Sequence, residues 1–291
     1  MEEYKNYTKR IIEGQYCIFS DINNDSSPIT FIIVPGNPSM PELYIHLGNL
    51  LTKKYKYPFI ISSLLSNDPK TFSLEKSIEL KKHFFEYLFN NNPKGKYIVI
   101  DHSIGCYISL NAMKKINDLN QIIGIYCIFP ALKNLYNCYP INYKIITFNF
   151  LIINILSCLL CLFKIMPFCL INFIFKLFTD IPKDKIEFII SNLIPSLGKQ
   201  MMILAKDEGK YIKEYNSDFI LFLNKISDKL NLIYGKKDRY ANEKIAKEIK
   251  GLVPNANIKI VDIQHAFVLK HTQEIFEIIS YMIKYDINNH Y

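Results

Sequence analysis

The sequence has 291 residues, of which 49% are hydrophobic, and it carries a formal net charge of +8. This length and composition exclude an intrinsically disordered protein and fit one large α/β domain with an insertion, or two modest domains. Arginine occurs only at Arg10 and Arg239 and the lysines are scattered, so we expect no nucleic-acid partner, because nucleic-acid-binding surfaces cluster their basic residues.

The cysteines and the N-terminus both indicate a reducing compartment. The seven cysteines are an odd number, and several lie in apolar runs, so we expect buried free thiols. Cys158 and Cys161 have the spacing of a metal or redox pair, but no histidine or second pair lies nearby. We therefore expect neither a metal ion nor a cofactor. Residues 1–10 lack the apolar core of a signal peptide, which predicts a chain that starts in the cytosol.

Strands alternate with helices at both ends of the chain. This alternation predicts an α/β fold with a mostly parallel central sheet and helices on both faces. We assign residues 1–132 and 230–291 to this core and residues 133–229 to a helical cap insertion. The predicted strands are 15–20, 29–34, 57–65, 97–100, 121–132, 231–235 and 257–263, and the predicted helices are 42–55, 73–90, the segment after Ser103, 242–253 and 272–285.

The insertion contains an unusually apolar segment. Residues 145–163 carry no charge over 19 positions, which is long enough to cross a bilayer. We predict that residues 145–175 instead dip into one leaflet as a hairpin, with Lys144, Lys164 and Lys176 at headgroup level. A soluble apolar cap packed over the site and a true membrane span are the alternatives.

The stretch "KYIVIDHSIGCYISL" contains the candidate nucleophile, Ser103. A strand pattern ends in Asp-His-Ser-Ile-Gly and a helix pattern follows, which resembles the G-x-S-x-G nucleophile elbow of the α/β-hydrolases. Gly105 and Cys106 supply the small residues that a strained elbow needs on the downstream side. Asp101 replaces the first glycine. We expect its charge to disturb the site and Asp101→Gly to raise activity.

Two residues further along the chain are candidates to complete a catalytic triad. Asp238 follows the strand 231–235, and His265 follows the next strand. Ser103, Asp238 and His265 therefore occur in the chain order of the α/β-hydrolases. Asp262 is the second candidate for the acid. Each position also has a purely structural interpretation, as a solvated aspartate or a loop histidine.

The turn "PGNP" is the candidate oxyanion loop. Gly36 and Asn37 lie where a backbone amide could face the developing oxyanion, and Pro38 has no N–H, so Asn37 is the expected donor. The backbone N–H of Ile104 is the second expected donor. The alternative is that this segment is only a tight turn.

The segments "FIIVPGNPSMPELY", "DHSIGCY", "IFPAL", "YGKKDRY" and "QHAFVLKH" together resemble the lipid droplet-associated hydrolase family, over roughly residues 30–285. The resemblance implies an α/β-hydrolase fold and a serine esterase-type triad of Ser103, Asp238 and His265. It also implies a location on lipid droplets or the endoplasmic reticulum membrane, on the cytosolic face. Neutral lipid or sterol esters are the substrates that it suggests. Asp101 departs from the family pattern and puts the catalytic rate in question.

Two functions follow from these observations. The first is a serine ester hydrolase that acts on lipid-like esters at a droplet or membrane surface through an acyl-enzyme. In this case residues 145–175 anchor the protein to that surface. The alternative is a catalytically weak or inactive surface protein that uses the hydrolase fold as a scaffold. The sequence leaves the oligomeric state and the acyl length of the ester open.

Overall fold

The computed structural model describes residues 7–20, 27–66, 72–141, 182–192 and 195–290, together with residues 144, 149, 166, 167, 169–171 and 173. An eight-stranded sheet forms the centre of the described part. Its strands are β1 (Tyr7–Ile12), β2 (Gln15–Ser20), β3 (Ile29–Val34), β4 (Phe59–Ser66), β5 (Lys96–His102), β6 (Ile122–Ile128), β7 (Leu230–Gly235) and β8 (Asn257–Val261). The helices are α1 (Ile45–Tyr55), α2 (Leu74–Asn91), α3 (Ile104–Met113), α4 (Leu135–Cys138), α5 (Lys183–Asn192), α6 (Pro195–Tyr211), α7 (Ser217–Lys225), α8 (Glu243–Leu252), α9 (Phe267–Lys270) and α10 (Thr272–His290).

The strand order is β1-β2-β4-β3-β5-β6-β7-β8, with β1 and β2 antiparallel to their neighbours and the other strands parallel. This arrangement confirms the predicted mostly parallel α/β sheet. Strand β1 was not predicted from the sequence. This strand lies at the sheet edge and is mostly exposed, with Lys9 and Arg10 among its exposed residues. It therefore lacks the apolar signal of a buried strand, as is common for edge strands.

Successive residues of the central strands point to opposite faces of the sheet, and each face is covered by helices. Tyr126 on β6 donates a hydrogen bond to Asp286 on α10, whereas the next residue, Cys127, contacts Cys106 on α3. Helix α1 packs against α10 on one face, and α2 packs against α3 on the other. The sheet is therefore covered by helices on both faces.

The carboxyl ends of the parallel strands carry the candidate functional residues. Loops after β3, β5, β7 and β8 meet at this edge, because parallel strands all end on the same side of the sheet. A Cβ atom at Gly105 would lie 2.4 Å from the carbonyl oxygen of Pro35. The start of α3 therefore packs so closely against the end of β3 that only glycine fits, and the elbow and the "PGNP" turn are held side by side.

Helices α4 to α7 lie between β6 and β7 in the chain, in the predicted insertion 133–229. Most of the apolar segment 145–175 lies outside the described residues. Of this segment the structure describes only Asn149, Met166, Pro167, Cys169–Ile171 and Phe173. Among the described residues, no helix has both the length and the apolar character required to cross a bilayer. The domain boundaries and the anchoring role of 145–175 stay predictions.

Candidate active site

Ser103 occupies a strained turn between β5 and α3. Its backbone has φ 54° and ψ −122°, a conformation that is unfavourable for a residue with a side chain. Two hydrogen bonds hold it there: the Ser103 N–H donates to the Ile128 carbonyl (3.0 Å), and the Ser103 carbonyl accepts from the Ala131 N–H (3.2 Å). Ser103 is half-buried, while both of its neighbours in the chain are buried. The turn therefore presents the hydroxyl at the sheet edge, as a nucleophile elbow requires.

The structure brings Ser103, His265 and Asp238 into one hydrogen-bonded chain. Ser103 Oγ lies 2.9 Å from Nε2 of His265, and Nδ1 of the same ring lies 2.7 Å from Asp238 Oδ2. With the ring proton on Nδ1, the imidazole donates to the carboxylate, and its Nε2 lone pair accepts from the serine hydroxyl. A histidine in this tautomer can take the serine proton during attack on a carbonyl carbon.

The environment of Asp238 favours its ionised form. Burial of the carboxyl opposes ionisation, but the hydrogen bond and charge of His265, and backbone N–H groups, outweigh burial and lower the pKa. Those N–H groups belong to Tyr240 and Ala241, which donate to Oδ1 at 2.7 and 2.8 Å. Both carboxylate oxygens are therefore engaged, and the charge lies beside the imidazole that would become positive during catalysis.

His102, the neighbour of Ser103 in the chain, is hydrogen-bonded on both ring nitrogens. The Gly36 N–H donates to the Tyr44 hydroxyl (2.9 Å), which donates to His102 Nδ1 (2.6 Å). His102 Nε2 in turn donates to the backbone carbonyl of His265 (3.0 Å). Burial and the nearby His265 lower the pKa of His102 to about 3. A neutral His102 therefore joins the "PGNP" turn, the elbow and the loop of His265.

The "PGNP" turn lies directly against Ser103, the candidate nucleophile. A Cβ atom at Gly36 would lie 2.9 Å from Ser103 Cβ. The Gly36 N–H is occupied by Tyr44, which leaves the backbone N–H groups of Asn37 and Ile104 as the candidate oxyanion donors. Ile104 is the first residue of α3, where a backbone N–H has no partner within the helix. These positions are compatible with the predicted roles of Asn37 and Ile104, which stay predictions.

Asp101 is further from the chemistry than its position in the motif indicates. Its carboxyl is fully buried, and Oδ1 accepts a hydrogen bond from Ser109 Oγ on α3 at 2.9 Å. Burial raises its pKa well above the usual range, more than Ser109 and the charge of Lys81 lower it. A raised pKa favours the uncharged form of this carboxyl. The expectation that Asp101 disturbs the site, and that Asp101→Gly raises activity, stays a prediction.

Three further side chains lie around the site, and none of them was predicted from the sequence. The Tyr240 ring packs edge-on against His265 with centroids 5.2 Å apart, and Tyr139 packs edge-on against Tyr240. Glu208 on α6 lies within 3.4 Å of Asn37 Nδ2. Tyr240 follows Asp238 by two positions, which is only a weak indication in the sequence that it lies near the site. Nothing in the sequence links Glu208 to Asn37, because they are 171 positions apart.

Asp262 and His271 take no part in the hydrogen-bonded chain of Ser103, His265 and Asp238. Asp262 is exposed, and the described contacts of His265 Nδ1 are with Asp238 instead. His271 pairs with Glu274 on α10 at 3.0 Å. In the described ranges, no cluster of three or more histidine, cysteine or acidic side chains could hold a metal ion. The pair Cys158 and Cys161 lies outside the described residues.

Comparison with known proteins gives similarities over most of the chain. The family model for lipid-droplet associated hydrolases matches residues 27–268. A lipid droplet-associated hydrolase of Dictyostelium discoideum is 28% identical over 264 residues, which is 86% of this chain and 85% of the relative. The Mus musculus protein of the same description is 27% identical, over 94% of this chain and 90% of the relative. A carboxylesterase structure from Nitrososphaera gargenis superimposes with a TM-score of 0.66 at 14% identity, covering 97% of this chain and 99% of the other, which shows an α/β-hydrolase fold.

Proposed function

The chain belongs to the lipid-droplet associated hydrolase family, and we propose that it is a serine ester hydrolase acting on lipid-like esters. The observation that carries this proposal is the hydrogen-bonded chain of Ser103, His265 and Asp238. In this mechanism His265 takes the proton of Ser103 as its oxygen attacks the ester carbonyl. The N–H groups of Asn37 and Ile104 stabilise the oxyanion. His265 then returns the proton to the leaving alcohol.

The second half-reaction regenerates the enzyme. Water gives a proton to His265 Nε2 and attacks the acyl-serine carbonyl, and the second oxyanion collapses at the same amides. As the bond between the acyl carbon and Ser103 Oγ breaks, His265 returns its proton to Oγ, which restores the Ser103 hydroxyl and releases the carboxylic acid. Asp238 remains ionised throughout and stabilises the imidazolium that forms in each step.

We propose that the substrate is reached from a lipid surface, a droplet or the endoplasmic reticulum membrane, on the cytosolic face. The apolar segment 145–175 is the proposed anchor. Two of its described residues, Leu170 and Phe173, expose 45% and 59% of their surface, and Ile141 just before it exposes 78%. Exposed apolar side chains that cluster in one part of a chain are typical of contact with a lipid surface or another apolar partner. Sterol esters and other neutral lipid esters are the proposed substrates.

An activity-based probe tests the serine chemistry. A fluorophosphonate reacts only with an activated serine, so we expect it to label the wild type and to leave Ser103→Ala unlabelled. The matched control is Ser109→Ala, because Ser109 lies on α3 with its hydroxyl turned toward Asp101. Absence of labelling in a folded wild type would favour the alternative, a catalytically inactive surface protein built on this fold.

A separate experiment tests the anchor. The full chain and a variant with Leu159→Asp and Leu160→Asp are mixed with triolein droplets covered by a phospholipid monolayer, and the droplets are floated. We expect the wild type and Ser103→Ala to float and the double aspartate variant to stay in the aqueous phase, since a charge inside an apolar anchor is costly to bury. Equal flotation of all three proteins would contradict the anchoring role of 145–175.

A further inference from the structure

Helix α6 makes a direct contact with the "PGNP" turn at residues 35–38, called the oxyanion turn below. Asn37 Nδ2 donates to the Met201 carbonyl at 3.0 Å and to Glu208 Oε1 at 3.4 Å. Both protons of the Asn37 amide nitrogen are therefore used by α6, and the amide is oriented this way because the Met201 carbonyl can only accept. The side chain of Asn37 is thus unable to serve as an oxyanion donor, and only its backbone N–H remains for that role.

The hydrogen bonds around Glu208 fit a neutral carboxyl group. The Tyr139 hydroxyl lies 3.1 Å from both the Ala205 carbonyl and Glu208 Oε2, but it has one proton to donate. A protonated Glu208 solves this conflict, since it donates to Tyr139 Oη while Tyr139 donates to Ala205. Glu208 Oε1 then remains a carbonyl-type acceptor for the Asn37 amide. The Tyr139 hydroxyl, the Glu208 carboxyl and the Asn37 amide nitrogen are then all hydrogen-bonded without a buried charge.

Burial explains why Glu208 would remain protonated at neutral pH. It raises the pKa of this carboxyl to about 8, in spite of the hydrogen bonds from Tyr139 and Asn37, and the neighbouring Asp207 adds to the rise. The titratable groups near Glu208 are Tyr139, Asp207 on its own helix, and Tyr240, whose ring packs against His265. Asp207 is otherwise engaged, because its carboxylate accepts from the Leu74 N–H at the start of α2.

We propose that Glu208 is a positioning residue for the oxyanion turn: its uncharged carboxyl group holds the Asn37 side chain against α6 and thereby fixes the direction of the Asn37 backbone N–H. This inference rests on the proposed ester hydrolysis at Ser103. Ionisation of Glu208 places a negative charge beside the turn that must bind a developing oxyanion, and it removes the donor to Tyr139. Both effects slow the step in which the oxyanion forms.

The pH dependence of activity is the distinguishing readout. For the wild type we expect kcat/KM for a p-nitrophenyl butyrate substrate to fall about tenfold or more on the alkaline side, with an apparent pKa near 8. Glu208→Gln keeps the acceptor for Asn37 and a donor for Tyr139 but does not ionise, so it should retain activity at pH 7 and lose the alkaline decline. Asp207→Asn is the matched control and should keep the decline.

A second variant tests positioning itself. Glu208→Leu keeps an apolar side chain in the buried site but cannot bind Asn37, so we expect kcat to fall about 10- to 100-fold with a smaller change in KM. An alkaline decline that persists in Glu208→Gln, or a wild-type kcat in Glu208→Leu, would overturn the positioning role of Glu208. The proposed function would still stand in either case, provided that fluorophosphonate labels Ser103 of the wild type. A folded wild type that is neither labelled nor active would overturn the proposed function, and this inference with it.

Discussion

The substitution Asp238→Asn tests the catalytic chain most directly, because the structure determines how the new amide must be oriented. Two backbone N–H groups, those of Tyr240 and Ala241, donate to Oδ1 at 2.7 and 2.8 Å. Only the carbonyl oxygen of an asparagine can face these donors, so its NH₂ group must face His265 Nδ1. The imidazole then has to accept at Nδ1 and carry its proton on Nε2, which points at Ser103.

A proton on Nε2 leaves His265 unable to take the proton of Ser103. The variant also loses the negative charge that stabilises the imidazolium. Together these effects reduce kcat of a Ser-His-Asp triad by about 10³- to 10⁴-fold, which corresponds to about 4–5.5 kcal/mol of transition-state stabilisation. The overall structure should persist, since asparagine has nearly the size of aspartate and keeps both backbone hydrogen bonds.

The assay is hydrolysis of a p-nitrophenyl ester together with the rate of fluorophosphonate labelling, with circular dichroism to establish folding. Asp262→Asn serves as the control, because Asp262 is the exposed acid that precedes His265 by three residues. We expect Asp262→Asn to retain wild-type rates. A folded Asp238→Asn protein with kcat within about tenfold of the wild type would refute the assignment of Asp238 as the acid.

Three further substitutions test other parts of the structure. Gly36→Ala should lower kcat/KM by about 10- to 100-fold, because its Cβ would lie 2.9 Å from Ser103 Cβ and displace the oxyanion turn; wild-type kinetics would contradict this packing. Asp101→Asn should have near wild-type kcat/KM, because the raised pKa of the carboxyl favours its uncharged form and an amide oxygen can accept from Ser109; a large increase would show that Asp101 is ionised. Burial lowers the pKa of Lys81 from 10.5 to about 7. Between these pH values the unfolded chain binds more protons than the folded protein, so the free energy of unfolding increases as the pH rises. Urea unfolding should therefore show the wild type gaining up to about 5 kcal/mol of stability relative to Lys81→Met as the pH rises from 7 to 10.5. Parallel stability curves would show that Lys81 titrates normally in the folded protein.

Asp101 shows how far a sequence motif can be interpreted without knowledge of the residues that surround it in the fold. In the sequence it replaces a glycine two positions before the nucleophile, which suggested a charge beside the reaction. In the structure its side chain points from β5 toward α3, and burial raises the pKa of the carboxyl. Strand alternation explains the direction, because adjacent residues of a strand point to opposite faces of the sheet and His102 points toward the site.

The sequence by itself determined the features that depend on local patterns. Apolar runs bounded by turns located seven of the eight strands, and their alternation with helices predicted the parallel sheet. The positions of Ser103, Asp238 and His265 relative to their strands predicted that they would meet, since parallel strands end at one edge of the sheet.

Only the tertiary structure decided what surrounds these residues and which charges they carry. The contact of Glu208 with Asn37 and the hydrogen bond of His102 to the His265 carbonyl join positions 171 and 163 residues apart. No local pattern encodes such distances. The protonation of Asp101, Glu208 and Lys81 depends on burial from all sides, which is a property of the packed fold and is absent from the order of residues along the chain.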